Sequence, residues 1–148
     1  MSLAIARASL ADLDDLAALF DGYRQFYGQP ADRARAAAFL RARLQADESV
    51  VFLARDGGAA VGFTQLYPLW SSVQTGRAWL LNDLFVAPHS RGRGVARALL
   101  DAAREHGRAT GARYLQLETA RDNAEAQRLY EAHGWTRDEA MHTYHLAL

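Results

Sequence analysis

The sequence predicts an α/β fold in the mixed α+β sense: a central, mostly antiparallel sheet of six to seven strands with helices on both faces. Three observations predict it. The first β-prone run is followed by two helical patterns, the next three β-prone runs follow one another through short breaks, and after Pro88 helix and strand alternate, giving the order βααβββαβαββ. With 148 residues the chain has the length of one domain, residues 1–148.

Taken in order, residues 3–8 read as a short strand. Ser9 with Asp12 three residues on makes a capping-box-like start for a helix whose inward face carries Leu13, Leu16, Ala17 and Phe20. The polar break Gly28-Gln29-Pro30 separates it from a second helix with Ala36, Phe39, Leu40 and Leu44 on one side. Ser49 to Arg55 and Ala59 to Leu69 flank Asp56-Gly57-Gly58, whose residues suit the positive φ angles of a hairpin turn. Trp70 to Gly76 reads as a polar loop and Arg77 to Val86 as a third strand of a meander. A helix with Val95, Leu99, Leu100 and Ala103 inward ends near Gly107 or Gly111. Tyr114 to Thr119 reads as a strand, and Asp122-Asn123 offers an N-cap for a helix through Ala126, Leu129 and Tyr130 that Gly134 stops. Trp135 to Arg137 and Met141 to Leu148 are the expected last strands.

Composition excludes several chemistries. Acidic and basic residues balance at 17 each, and neither half of the chain departs from balance by more than one charge, so no nucleic-acid partner is expected. All the basic residues are Arg and there is no Cys. A thiolate nucleophile, a Cys-ligated metal, a Schiff base and a phosphate-loop lysine are therefore all unavailable, and group transfer is expected to run directly from one substrate to the other. His142 and His145 lie three apart in an expected strand and so on opposite faces, while His89, His106 and His133 are isolated in the sequence, so no metal is expected. The early charge at Arg7 and the lack of a long apolar run give neither a leader nor a membrane span, making a cytoplasmic location the expectation.

The strongest local feature is a strand ending at Val86, then Ala87-Pro88-His89-Ser90, then Arg91-Gly92-Arg93-Gly94-Val95-Ala96 opening a helix. Glycines there let backbone N–H groups approach an anion at the helix's positive end, and Arg91, Arg93 and Arg97 add charge with no acid from residue 84 to residue 100. Phosphate is the natural ligand; a glycine-rich turn with solvated arginines is the plainer alternative. The dinucleotide fingerprint G-x-G-x-x-G fails at its third glycine, which is Arg97, and the loop from Val86 to Gly92 is too long for it.

With these residues the chain resembles the GNAT superfamily of N-acetyltransferases. Arg91-Gly92-Arg93-Gly94-Val95-Ala96 looks like the family's acetyl-CoA pyrophosphate loop, Arg-x-x-Gly-x-Ala. Leu117-Glu118-Thr119, Asn123, Leu129-Tyr130-Glu131 and Gly134-Trp135 are similar to its closing motif, with Trp135 where Phe is more usual. The resemblance implies acetyl-CoA as donor, a primary amine of a small molecule or peptide as acceptor, and a homodimer. It further implies that Leu84, Phe85 and Val86 line the pantetheine arm through backbone groups, that residues 91–97 hold the pyrophosphate, that Asn123 anchors the arm, and that Tyr130 lies near the sulfur. A departing thiolate needs a proton, which a positioned phenol can donate; Tyr130 as a plain core residue is the alternative. An acyl-CoA-binding module without turnover is the rival reading of the whole chain, and Asn123 with Tyr130 argues against it.

The acceptor amine must be neutral to attack, so a base is required. Asn82-Asp83 interrupts the apolar run Trp79-Leu80-Leu81 and Leu84-Phe85-Val86, where burial would raise the pKa of Asp83 toward a useful value. Asp83 is the expected base, and a hydrogen-bonded pair at a strand bulge is the alternative. Leu80 to Val86 with Gly62-Phe63-Thr64 looks particularly like the diamine acetyltransferase branch, which has a substrate-facing Glu where this chain has Asn82. Tyr27, Tyr67 and Trp70 fall in segments that line the acceptor site in relatives.

Overall fold

The computed structural model describes residues 2–148, and contacts group the chain into one unit reaching Glu118 and another from Thr119 to Leu148. In the first unit the strands are β1 (Leu3–Arg7), β2 (Val50–Asp56), β3 (Ala59–Ser71), β4 (Gly76–Val86) and β5 (Leu115–Gln116). Their order in the sheet is their order in the sequence. Three antiparallel pairings are followed by one parallel pairing, β4 with β5. The helices are α1 (Leu13–Phe26), α2 (Arg33–Gln45) and α3 (Val95–Ala109).

Local chemistry starts these elements where the sequence places them. Ahead of α1, the Ser9 hydroxyl accepts from the Ala11 N–H at 3.3 Å, and the Asp12 carboxylate accepts from the Ser9 N–H at 2.9 Å, closing the capping box. Asp32 caps α2 by accepting from the Arg35 N–H at 3.0 Å. The Asp32 N–H in turn donates to the buried carboxylate of Asp21 at 2.9 Å, which ties the start of α2 to the side of α1.

Helices cover both faces of the sheet. Leu16, Phe20 and Leu40 from α1 and α2 pack with Val51, Leu53, Phe63 and Phe85, whereas Val95 and Leu99 of α3 pack with Ala54, Val61 and Val86. Phe85 and Val86 thus go to opposite helices, as neighbours on one strand must. Burying such side chains contributes roughly 1.5–3 kcal/mol each.

The β2–β3 turn forms at Gly57 and Gly58, with φ of 57° and 93°. The expected loop at Trp70 is shorter than the sequence suggests: β3 runs through Ser71 and pairs it with Gly76. Cation–π stacking of Arg77 on Trp70, 4.2 Å from the ring centroid, explains why the strand continues into a polar stretch.

The larger correction concerns the end of the sheet, which among the described residues has five strands and not six or seven. Of the run Tyr114 to Thr119, only Leu115 and Gln116 pair, with Trp79 and Leu80. Neither Trp135 to Arg137 nor Met141 to Leu148 is a strand, and so the opposite-face reading of His142 and His145 lapses with it. Every residue from Thr136 to Leu148 is exposed. Strand propensity describes side chains that fit a half-buried pleated surface, and these side chains are exposed.

In the second unit α4 (Ala124–His133) is capped by Asn123, whose Oδ1 accepts from the Ala126 N–H at 3.2 Å. It ends at Gly134 with a φ of 105°. Among the described residues no helix is long and apolar enough to cross a membrane.

Candidate active site

The turn between β4 and α3 is built to present backbone. Gly92 and Gly94 have φ of 75° and 81°, which L side chains rarely adopt. A Cβ added at either would meet nothing within 4 Å, so the same face of the turn is open. Gly94 is the N-cap of α3 and supplies no side-chain cap, and the first turn of that helix holds no acid. The leading N–H groups of a fifteen-residue helix therefore point outward from a positive end, with Arg93 and Arg97 exposed beside them. This arrangement suits a phosphate. Val95 anchors it from below, buried with Leu99 against Val61 and Val86.

Arg91 is oriented differently from its neighbours. Its Nε donates to the Val86 carbonyl at 2.9 Å, and its guanidinium lies 5.6 Å and 5.9 Å from the ring centroids of Phe85 and Phe26. It braces the turn against the end of β4.

That end of β4 has an open edge. The pairing with β5 stops at Leu80, so among the described residues no strand pairs with Leu81 to Val86 on the side away from β3. The backbone groups of Leu84, Phe85 and Val86 lie on the stretch leading directly into the glycine turn. An extended amide-bearing molecule could add to such an edge as a strand would.

On the β3 side the register is broken at one place. Gln65 pairs with Asp83 and Leu66 with Leu81, leaving Asn82 unopposed as a bulge. The bulge puts Asn82 outside, exposed, and Asp83 inside, 4% exposed. The Asp83 carboxylate collects three donors: Gln65 Nε2 to Oδ2 at 2.7 Å, Asn82 Nδ2 to Oδ1 at 3.0 Å, and the Tyr23 hydroxyl. Thr64 Oγ1 donates to the Asp83 carbonyl at 2.8 Å, fixing the backbone as well.

Burial outweighs the three donors and pushes the Asp83 carboxyl above the usual carboxylate range. Nearby, burial first and the Asp83 charge second push the Tyr67 phenol up to about 12. Burial thus holds both the Asp83 carboxyl and the Tyr67 phenol toward their neutral forms. Asp83 is thus hydrogen-bonded at a strand bulge, the plainer of the two readings of Asn82-Asp83, and its burial raises its pKa.

The other expected acceptor-site residues divide. Tyr27 is exposed at the end of α1, edge-on to Tyr23 at 5.1 Å between centroids. Tyr67 lies two residues along β3 from Gln65. Trp70 is five residues from Gln65, about 16 Å at roughly 3.3 Å per residue, and at 73% exposure it belongs to the hairpin tip with Arg77. Sequence reasoning missed Tyr23 and Gln65. Tyr23 follows Phe20 by one helical turn on the inward face of α1, and Gln65 is a polar residue in the apolar run Val61 to Leu66; these were the available signals.

In the second unit Tyr130 is half-buried, its ring tilted against Trp135 at 6.2 Å between centroids. Trp135 is fixed in turn, its indole N–H donating to Nδ1 of the buried His133 at 3.0 Å. The acceptor oxygen of Asn123 is engaged in capping α4, which leaves its Nδ2 as the group able to donate to a ligand.

A family model described as the acetyltransferase (GNAT) family matches residues 15–135. The uncharacterised N-acetyltransferase YhfO of Bacillus subtilis (strain 168) is 44% identical over 140 residues, 95% of this chain and 94% of that protein. The crystal structure of a probable acetyltransferase superposes with a TM-score of 0.93 at 39% identity, covering 98% of this chain and 97% of the other. Aminoglycoside N-acetyltransferase AAC(6')-Iy, in complex with the bisubstrate analogue CoA-S-monomethyl-acetylneamine, superposes with a TM-score of 0.82 at 25% identity over the full length of both chains.

Proposed function

Since this chain belongs to the acetyltransferase (GNAT) family, making it an N-acetyltransferase that uses acetyl-CoA, we propose that it acetylates the primary amine of a small molecule by direct transfer. The observation that carries this reading is the continuity of β4: an open backbone edge from Leu84 to Val86 runs into a glycine turn and an uncapped helix N-terminus, and the same strand holds a buried carboxyl at Asp83. The likeness to AAC(6')-Iy, bound to an analogue joining CoA to an acetylated neamine, supports a small-molecule acceptor.

In this reading the N–H groups of Gly92 to Arg97 and the charges of Arg93 and Arg97 hold the pyrophosphate. The backbone of Leu84 to Val86 and the amide of Asn123 hold the pantetheine arm. Arg91 acts on the donor through the turn that it braces. Asp83 takes a proton from the acceptor ammonium, so that the nitrogen lone pair can attack the thioester carbonyl. The N–C bond forms, the C–S bond breaks, the Tyr130 phenol protonates the departing sulfur, and the second proton shed by the attacking nitrogen replaces the one the phenol gave up, through solvent. Asn82, Tyr67 and Tyr27 supply polar and aromatic surface to the amine. The activity is assigned to residues 1–148 as one acetyltransferase domain.

The test is release of CoA thiol from acetyl-CoA across aminoglycosides, polyamines, amino acids and short peptides, with Tyr130→Phe beside the wild type. Turnover on a small-molecule amine, lowered about 10²-fold in the variant with acetyl-CoA binding retained, is the expected result. Turnover confined to peptides, or unchanged turnover in Tyr130→Phe, would overturn the acceptor class or the acid assignment respectively.

A further inference from the structure

Gln65 is wholly buried, and it is asymmetric in its use: Nε2 donates to Asp83 Oδ2 at 2.7 Å, whereas Oε1 is buried with no hydrogen-bond partner. A buried carbonyl left without a hydrogen bond is unfavourable, so its presence next to a buried carboxyl calls for a reason. The chemistry of the pair supplies one. A carboxylate needs donors, but once protonated it carries an O–H that needs an acceptor. Asn82 and Tyr23 also meet Asp83 as donors and carry acceptor oxygens of their own, but Asn82 is exposed to solvent, whereas the Gln65 amide is wholly buried with its acceptor oxygen unpartnered beside the carboxyl.

We propose that Gln65 is a positioning residue that serves Asp83 in both of its protonation states, donating from Nε2 to the carboxylate and, after a half-turn of its amide, accepting at Oε1 from the carboxylic acid. The proton leaves the acceptor ammonium, binds Asp83 Oδ2, and returns to solvent after the product departs. With Asp83 ionised, Oε1 carries the orphan penalty; with Asp83 protonated, Oε1 is satisfied and the carboxyl stays in place for the next cycle. This inference rests on Asp83 being the base. Tyr23 from α1 and Tyr67 from β3 also face Asp83, and Arg43 of α2 acts on Tyr67, so these groups complete its electrostatic surroundings.

Three measurements test it. In Gln65→Met, which keeps the bulk and removes both polar atoms, the acid limb of the kcat/KM profile for the amine is expected to move up by about one pH unit or more, because the charge-assisted bond from Nε2 favours the carboxylate by more than the neutral bond to Oε1 favours the acid. The KM for acetyl-CoA is expected to stay within about twofold of wild type. An acid limb that stays where it was overturns the proposal. In Asp83→Asn the limb should vanish; a limb that persists there overturns the base reading itself, whatever Gln65 does. Should Gln65→Met fail to fold, the side-chain amide resonance of Gln65 in the wild type can be followed by NMR over the same pH range. It is expected to shift with the midpoint of the acid limb, and an unmoved resonance overturns the proposal.

Discussion

Arg91 donates from Nε to the carbonyl of Val86 at 2.9 Å, so one of the three arginines around the glycine turn holds the protein to itself. Removing it should therefore cost fold stability as well as ligand affinity. For Arg91→Ala we expect a loss of about 1–2 kcal/mol, or roughly 2–4 °C in Tm per kcal/mol at this chain length. Arg93→Ala should leave the ligand-free Tm within about 1 °C and weaken acetyl-CoA binding in a salt-dependent way. Thermal melts without ligand and acetyl-CoA titrations separate the two; equal losses of stability would remove the brace from the account.

Gly94 combines a φ of 81° with a position at the head of α3. Gly94→Glu adds backbone strain and sets a carboxylate where the phosphate would approach. Wild-type protein at 100 times the dissociation constant should gain about 2.7 kcal/mol from acetyl-CoA. The variant should gain nothing, and a melt in which acetyl-CoA still raises its Tm would show that the turn is not the phosphate site.

Gly62 is needed for closeness, not for an unusual backbone. A Cβ there would stand 2.9 Å from the Phe85 carbonyl oxygen, 3.2 Å from Val95 Cγ1 and 3.3 Å from Leu99 Cδ1. Backbone on one side and core on the other leave it nowhere to go, so Gly62→Ala should destabilise by about 1–3 kcal/mol through overpacking. Denaturant titration measures this directly, and a neutral result would mean that β3 and β4 can separate locally at no cost.

Asp83 and Tyr67 are acids with raised folded-state pKa values, so both contribute stability that is full below the unfolded value and lost as pH rises through the folded one. For Asp83 the decline begins near the unfolded value of about 3.9, and for Tyr67 it runs from about 10 to about 12. Denaturation curves over pH should show Asp83→Asn flattening the acidic part of the decline and Tyr67→Phe the alkaline part. Unaltered slopes in both variants would mean that neither group is desolvated as the structure has it.

Much of this was legible locally. Ser9 with Asp12, the glycines at 57 and 58, and Gly134 after α4 each act within a few residues, and each does in the structure what its neighbourhood implies. The glycine turn before α3 was legible for the same reason. Asp83 could be singled out because two polar residues in an apolar strand are costly, but its partners Gln65 and Tyr23 lie 18 and 60 residues away and could not be named.

Residue types at short fixed spacings were enough for the helix start at Ser9, the Asn123 cap and Gly134 stop of α4, the turn at Gly57 and Gly58, the glycine-rich opening of α3 and the family. Only the tertiary structure decided that Asn82 bulges while Asp83 turns inward, that β5 pairs for two residues, and that the last residues form no strand. The physical reason is common to all three: strand pairing and burial are properties of two distant segments at once. A propensity read along one of them cannot say whether the other will be there.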